Sequence, residues 1–185
     1  MSPSWSILSA IPHPTFRARA RPVLAVIAES LQALQSQIAL LDREIASRAR
    51  ADPVAKRLMT IPGVGPVIAT ALVALAPAAI TFRRGRDFAA WLGLVPRQHS
   101  SGGKERLGRT TKMGERSLRR LLIIGASSAT KAAARDPDKA SAWLAGMLAR
   151  KPRMLVTVAL ANKTARIVWA LMAHGGSYRA PARAV

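Results

Sequence analysis

The chain has 185 residues, half of them hydrophobic, which is enough for one domain of ordinary size with a helical arm. Its 29 Lys and Arg against 9 Asp and Glu give a formal net charge of +20, which favours nucleic acid over a membrane or an acidic protein as partner. The lack of cysteine excludes disulfides and thiolate metal sites, and the three histidines are too scattered to form a shared ligand set.

The N-terminal part of the chain predicts a long amphipathic helix. Residues 1–21 are rich in Pro, Ser, Arg and Ala without periodicity, and we interpret them as a disordered lead-in. Residues 22–50 are predicted to form a coiled-coil-like helix that ends near Asp52-Pro53 and packs either on the rest of the chain, in an intramolecular hairpin, or on a second subunit. Its apolar residues follow a heptad spacing: Leu24, Ile27, Leu31, Leu34, Ile38, Leu41 and Ile45.

The segment Leu58 to Phe82 carries no formal charge and could suggest a membrane span. Its prolines and glycines leave only about ten consecutive helical residues, which is too short to cross a bilayer. The first residues also lack the basic start of a secretory signal, so we expect no membrane partner and a cytoplasmic location.

The stretch "IPGVGPVIATALVALAP", Ile61 to Pro77, opens an apolar helix directly after a glycine turn. Gly63 and Gly65 would let a phosphate approach backbone N–H groups at the positive end of that helix. This pattern is typical of a helix-hairpin-helix element that holds a DNA backbone without reading bases. The alternative is a plain tight turn between packed helices.

The remainder of the compact part, residues 54–174, is predicted to be helical. Phe88, Trp91 and Leu92 lie on one side of a short helix and are interpreted as core. A loop from Arg97 to Lys112 and three further helices follow, without a strand, and residues 175–185 form a flexible tail. The predicted fold is therefore all-α.

The loop sequence "HSSGGKERLGR" is the remaining candidate for chemistry, because the nine acids are too dispersed for a two-metal nuclease. A serine on a Gly-rich loop, surrounded by guanidinium and ammonium groups, has the features required of a nucleophile in phosphoryl transfer. The same residues could instead only clamp a nucleic-acid backbone. The candidate DNA-binding residues are Gly63, Gly65, Arg97, Lys104, Arg106, Arg109, Lys112, Arg119 and Arg120.

Three segments, "LMTIPGVGPVIATALVAL", "FAAWLGLVPRQHSSGGKERLGRTTKMGERSLRRLLIIGASS" and "ANKTARIVWALM", resemble the C-terminal domain of certain insertion-sequence transposases. That family combines an N-terminal RuvC-like Asp-Glu-Asp-Asp domain with a serine-containing C-terminal domain. The resemblance runs from about Leu24 to about Met172. It implies that Ser101, or else its neighbour Ser100, is the catalytic nucleophile of strand exchange. It also implies protomer assembly through the coiled coil and a structured, element-encoded RNA as a partner.

The sequence departs from the family pattern at its start, since no acid precedes Glu29. We therefore expect a DNA-binding, serine-bearing C-terminal half that lacks the acidic domain and is inactive alone. It would be a truncated or degenerate transposase, a fragment of a longer gene, or a protein that works in trans with another subunit. Its partner through the coiled coil would be an intact transposase or a second copy of the chain, as a homo-oligomer. Mg²⁺ is expected only for the RuvC-like domain, and no cofactor or metal in this chain. The resemblance implies a nucleoid-associated protein, and the alternative function is a non-catalytic DNA- or RNA-binding module.

Overall fold

The computed structural model describes residues 14–98, 107–137 and 140–179, without the side chains of residues 14–19 and 107. The described residues form seven α-helices and one pair of short strands, so the predicted all-α class is confirmed. In chain order the elements are α1 (Pro14–Ala51), α2 (Pro53–Leu58), α3 (Pro66–Leu75), α4 (Gly85–Trp91), β1 (Pro96–Gln98), β2 (Leu107–Thr110), α5 (Arg116–Arg135), α6 (Ala142–Arg150) and α7 (Arg153–His174).

The chain divides into two compact units, residues 1–44 and residues 45–185, which are described separately. The first unit contains most of α1, which begins at Pro14 and not at Pro22 as the sequence suggested. The Arg and Ala residues between the two prolines favour helix, and the helix continues through Pro22. Apolar side chains of the heptad pattern in this unit are between 39% and 58% exposed: Leu24, Ile27, Leu31, Leu34, Ile38 and Leu41.

In the second unit, α1 ends at Ala51, as predicted from Asp52-Pro53. The Asp52 carboxylate accepts hydrogen bonds from the backbone N–H groups of Val54 and Ala55, at 2.7 and 2.9 Å, and thereby starts α2. A turn then leads into α3, whose first residue is Pro66. Proline is well tolerated at this position because its missing N–H would have no intrahelical partner.

A cluster of aromatic rings lies beside α4. The rings of Phe82, Phe88 and Trp91 have centroids between 5.2 and 5.8 Å apart, and Phe88 is only 1% exposed. The indole N–H of Trp169 donates to the carbonyl of Ala79 at 3.1 Å, which ties α7 to the short 3-10 turn before α4. The prediction that the aromatic residues of α4 belong to the core is confirmed.

The prediction of an unbroken loop from Arg97 to Lys112 is wrong at both of its ends. β1 and β2 pair as an antiparallel ladder, with Pro96 opposite Thr110 and Gln98 opposite Leu107. Both strands are too short to show an alternating pattern, and their pairing depends on contacts distant in sequence. For example, the N–H of Thr111 donates to the carbonyl of Val95 at 2.9 Å.

The helix α7 is the centre of the second unit and packs against α2, α4, α5 and α6. Val156, Ala161 and Val168 of this helix are fully buried. Two helices, α7 and the Ala20–Ala51 part of α1, are long and apolar enough to cross a membrane by length and composition alone, which is a weak indication. In α7 the apolar residues are used for the core of the unit.

Candidate nucleic-acid interface

The turn between α2 and α3, residues 59–65, is fixed by its own apolar residues and by α5. Ile61 and Val64 are buried in the core. Gly63 has a φ of +84°, a conformation that favours glycine, and its backbone lies directly on the backbone of Gly125 in α5. Gly63 therefore has a packing role, as expected for the alternative of a tight turn between packed helices. Its contact with DNA stays a prediction.

Gly65 differs from Gly63 in its surroundings. It is the N-cap of α3, in an extended conformation, and a Cβ atom placed there would meet no atom within 4 Å. The next backbone N–H groups, those of Val67 and Ile68, lie in the first helical turn, where no intrahelical acceptor exists. No side chain caps this helix start. The N-terminus of α3 is therefore available to an external hydrogen-bond acceptor. A site that binds phosphate through backbone N–H groups requires this.

The loop that contains Ser101 and Gly102 is flanked by two backbone segments, residues 91–95 and 111–115. We call these two segments together the loop base. Gly93 and Gly114 both have positive φ, at +69° and +89°. A Cβ atom on Gly93 would overlap the carbonyl of Met113, and one on Gly114 would overlap that of Trp91. The N–H of Lys112 also donates to the carbonyl of Gly93 at 3.2 Å. The two segments are therefore in close backbone contact.

Two polar side chains, one from α5 and one from α7, hold the loop base through hydrogen bonds. The guanidinium of Arg119, in α5, donates to the carbonyl of Leu92 at 3.0 Å and to that of Met113 at 3.5 Å. The amide of Asn162, in α7, donates to the carbonyl of Leu94 at 3.1 Å. Sequence reasoning did not single out Asn162, because its acceptor lies 68 residues away in the chain.

The remaining predicted DNA-binding side chains lie around the loop base. Arg97 on β1, Arg109 on β2, Lys112 and Arg120 are all exposed. The Arg97 guanidinium reaches the carbonyl of Thr111 at 3.5 Å, so the ladder brings the ends of the predicted basic loop together. Three further predicted residues lie outside the described residues: Ser101, Lys104 and Arg106.

Lys163, in α7, has a perturbed ionisation. Burial lowers the pKa of its ammonium group, and the positive charge of Arg166 lowers it further. The ammonium lies 4.3 Å from the ring centroid of Trp143, a cation–π contact. Within residues 14–98, 107–137 and 140–179, no three side chains among His, Cys, Asp and Glu are grouped closely enough to hold a metal ion.

Comparison with known proteins gives a consistent result. Residues 55–141 match the family described as Transposase IS116/IS110/IS902. The chain is 48% identical over 157 residues to a probable family 20 transposase of Pseudomonas aeruginosa, an alignment that covers 85% of this chain and 46% of that protein. It is 46% identical over 167 residues to a putative transposase, y4pF/y4sB, of Sinorhizobium fredii, covering 90% of this chain and 43% of the relative.

A third relative is the transposase for insertion sequence element IS1111A of Coxiella burnetii. It is 41% identical to this chain over 138 residues, in an alignment that covers 75% of this chain and 38% of the relative. The chain thus spans less than half of each of these three relatives. The family match includes the α2–α3 turn, the loop base and the whole of α5. Residues 55–141 are therefore a transposase domain of the IS116/IS110/IS902 family.

Proposed function

We propose that this chain is the DNA-binding, serine-bearing part of an insertion-sequence transposase and takes part in DNA transposition. The observation that carries the proposal is the transposase domain at residues 55–141, shared with relatives that are named as transposases. The net charge of +20 supports a polyanionic partner. DNA binding, strand exchange and assembly of protomers are separate parts of the proposal and are argued in turn.

DNA is held by its phosphates at two neighbouring places. One is the start of α3 at Gly65, where no side chain caps the helix and the first backbone N–H groups have no intrahelical acceptor. The other is the basic surface formed by the two strands and the adjoining loop base, with Arg97, Arg109 and Lys112 exposed. Both places contact α5, the first at Gly125 and the second at Arg119, about 9 Å apart along the helix axis. A single backbone could therefore follow α5 and contact both.

Ser101 is the nucleophile of strand exchange in this proposal. Its hydroxyl oxygen attacks a DNA phosphorus, which forms one P–O bond and breaks another, and the leaving sugar hydroxyl takes up the proton. The phosphodiester is replaced by a phosphoserine link without any change of oxidation state. The exposed guanidinium groups of Arg97 on β1 and Arg109 on β2 would neutralise the charge that develops on the phosphoryl oxygens.

An acidic, RuvC-like domain, with its Mg²⁺, would act together with this chain and be supplied by another segment or by an intact transposase. A structured RNA encoded by the element is a second proposed partner. Assembly occurs through α1 in this proposal, because six of its heptad apolar residues, Leu24 to Leu41, are exposed within their own unit. Burying such a row of aliphatic side chains in a coiled coil would provide most of the association free energy.

A non-catalytic DNA- or RNA-binding module is the second candidate. It is favoured by the fact that the described residues supply cations and N–H groups but no cluster of acids. Covalent capture of DNA separates the two candidates, because only the first forms a serine adduct.

The binding part of the proposal is tested by the affinity for duplex DNA at a series of salt concentrations. A backbone-dominated interface releases condensed counterions, so the logarithm of the association constant should fall linearly and steeply with the logarithm of the salt concentration. An affinity that does not change between low and physiological salt would contradict the proposed interface.

A further inference from the structure

A cavity of about 830 Å³ lies between α5, α6, α7 and the α2–α3 turn. Its volume is within the range of about 300–1,000 Å³ that is usual for small-ligand sites. One wall is made of the small side chains of α5, namely Ala129, Ala132 and Ala133, and Trp143 and Tyr178 also line it. Small aliphatic and aromatic surfaces of this kind fit a planar, aromatic ligand.

The cavity also contains a cation. Lys163 lines it, and its ammonium group lies 4.3 Å from the centroid of the Trp143 ring. Burial and the nearby charge of Arg166 disfavour the charged form of Lys163. An entering hydrogen-bond acceptor or phosphate oxygen would relieve this cost, because an ammonium group has three N–H donors. A wholly apolar occupant would increase it.

The cavity adjoins the proposed phosphate site. Ile61, Pro62 and Gly63 of the α2–α3 turn line the cavity, and the same three residues line a shallower groove that includes Gly65. A strand whose backbone is held at the start of α3 would therefore pass the cavity entrance. Its bases, rather than its phosphates, fit the apolar interior.

We propose that this cavity binds one unpaired nucleobase of the nucleic-acid strand whose backbone crosses the α2–α3 turn. The base packs on the alanine methyls and Trp143, and Lys163 donates to a base carbonyl or to the adjoining phosphate. Stacking of this kind is tolerant of sequence, since every base has an aromatic face. The inference rests on the proposed nucleic-acid binding. Phosphate contacts do not depend on the bases. A base bound in the cavity, by contrast, requires that the protein bind a strand with bases more tightly than a strand without them.

The test compares a single-stranded oligonucleotide with an abasic strand of equal length and equal charge. We expect wild type to bind the intact strand roughly 5- to 100-fold more tightly than the abasic strand, as base stacking predicts. Ala132→Leu fills the cavity from an exposed position of α5 and should lose most of this preference. Ala134→Leu is the matched control, since Ala134 is exposed on the same helix and does not line the cavity.

Trp143→Ala is the second variant and should also reduce the preference for the intact strand over the abasic strand. Thermal unfolding of each variant shows whether it is folded before its binding is measured. Equal binding of both strands by wild type, or an unchanged preference in folded Ala132→Leu, would overturn the inference. Binding of neither strand by wild type at low salt would overturn the proposed function as well, so the two failures are distinguishable.

Discussion

The backbones of Gly63 and Gly125 pack directly on each other: a Cβ atom on either glycine would overlap the carbonyl oxygen of the other. This contact joins the α2–α3 turn to the middle of α5, and Gly63 additionally requires a positive φ. The turn is therefore held by the helix that also holds the loop base through Arg119. Gly65, two residues away, is free of such contacts, so the two glycines of the turn should respond differently to substitution.

Gly63→Ala should lower the free energy of unfolding by about 2–5 kcal/mol, because it combines left-handed strain with overlap against a fixed backbone. Gly65→Val should change it by about 1 kcal/mol or less, since this position is extended and open. Gly65→Val should nevertheless bind DNA less tightly, because the new side chain obstructs the start of α3. Urea denaturation and DNA titration measure the two effects. Strong destabilisation with normal DNA binding in Gly65→Val would show that this turn is only structural.

Arg119 and Arg120 form a natural pair for separating folding from binding. Arg119→Gln removes the guanidinium bonds to the Leu92 and Met113 carbonyls and should lower the free energy of unfolding by about 1–3 kcal/mol. Arg120→Gln, at an exposed position, should change stability by less than about 0.5 kcal/mol. It should weaken DNA binding and reduce the salt slope by about 1. The assignment fails if Arg120→Gln destabilises the fold more than Arg119→Gln does.

The row of exposed apolar residues on α1 predicts association between chains. Ile38→Lys places a charge within the heptad pattern and should shift the protein toward smaller species in sedimentation experiments, because the charge would be buried in the coiled coil. Ser36→Lys adds the same charge at a position opposite the pattern and serves as the control. If both variants sediment like wild type, α1 does not assemble protomers in the proposed way.

Lys163 predicts a specific pH dependence of stability. The pKa of its ammonium is lowered in the folded protein from an ordinary value of 10.5. Between the folded pKa and 10.5 the unfolded chain binds more protons, so this group makes the fold more stable as pH rises through that window. Lys163→Met lacks the titration. The free energy of unfolding of wild type minus that of Lys163→Met should therefore increase toward pH 10.5, and a constant or falling difference would contradict the assigned environment.

The sequence predicted the helices more successfully than the contacts between distant segments. The heptad spacing, the Asp52-Pro53 stop and the glycine turn before α3 are local signals, and the structure has a helix, a helix end and a turn at these places. The strand pair was missed because it depends on pairing between segments that are not adjacent in sequence, with Pro96 opposite Thr110 and Gln98 opposite Leu107. The contact of Arg119 with Leu92 was missed for the same reason, because an arginine at the start of a helix gives no indication of its acceptor.

The cavity that contains Trp143 and Lys163 could not be predicted either. Its walls come from α5, α6, α7 and the α2–α3 turn, so it exists only after these elements pack. The proposed nucleophile, by contrast, comes from sequence alone, because Ser101 lies outside the described residues.

The most direct measurement is covalent capture of DNA on Ser101. Labelled element-end DNA is incubated with wild type, Ser100→Ala or Ser101→Ala, each with and without an intact relative that supplies the acidic domain and whose own serine is replaced. We predict on a denaturing gel an adduct of this chain that requires the relative, persists in Ser100→Ala and is absent in Ser101→Ala. Ser101→Ala should retain noncovalent binding to within about 0.5–1.5 kcal/mol, the contribution of one hydrogen bond. An adduct that persists in both variants, or none in wild type with the relative present, would contradict the serine mechanism.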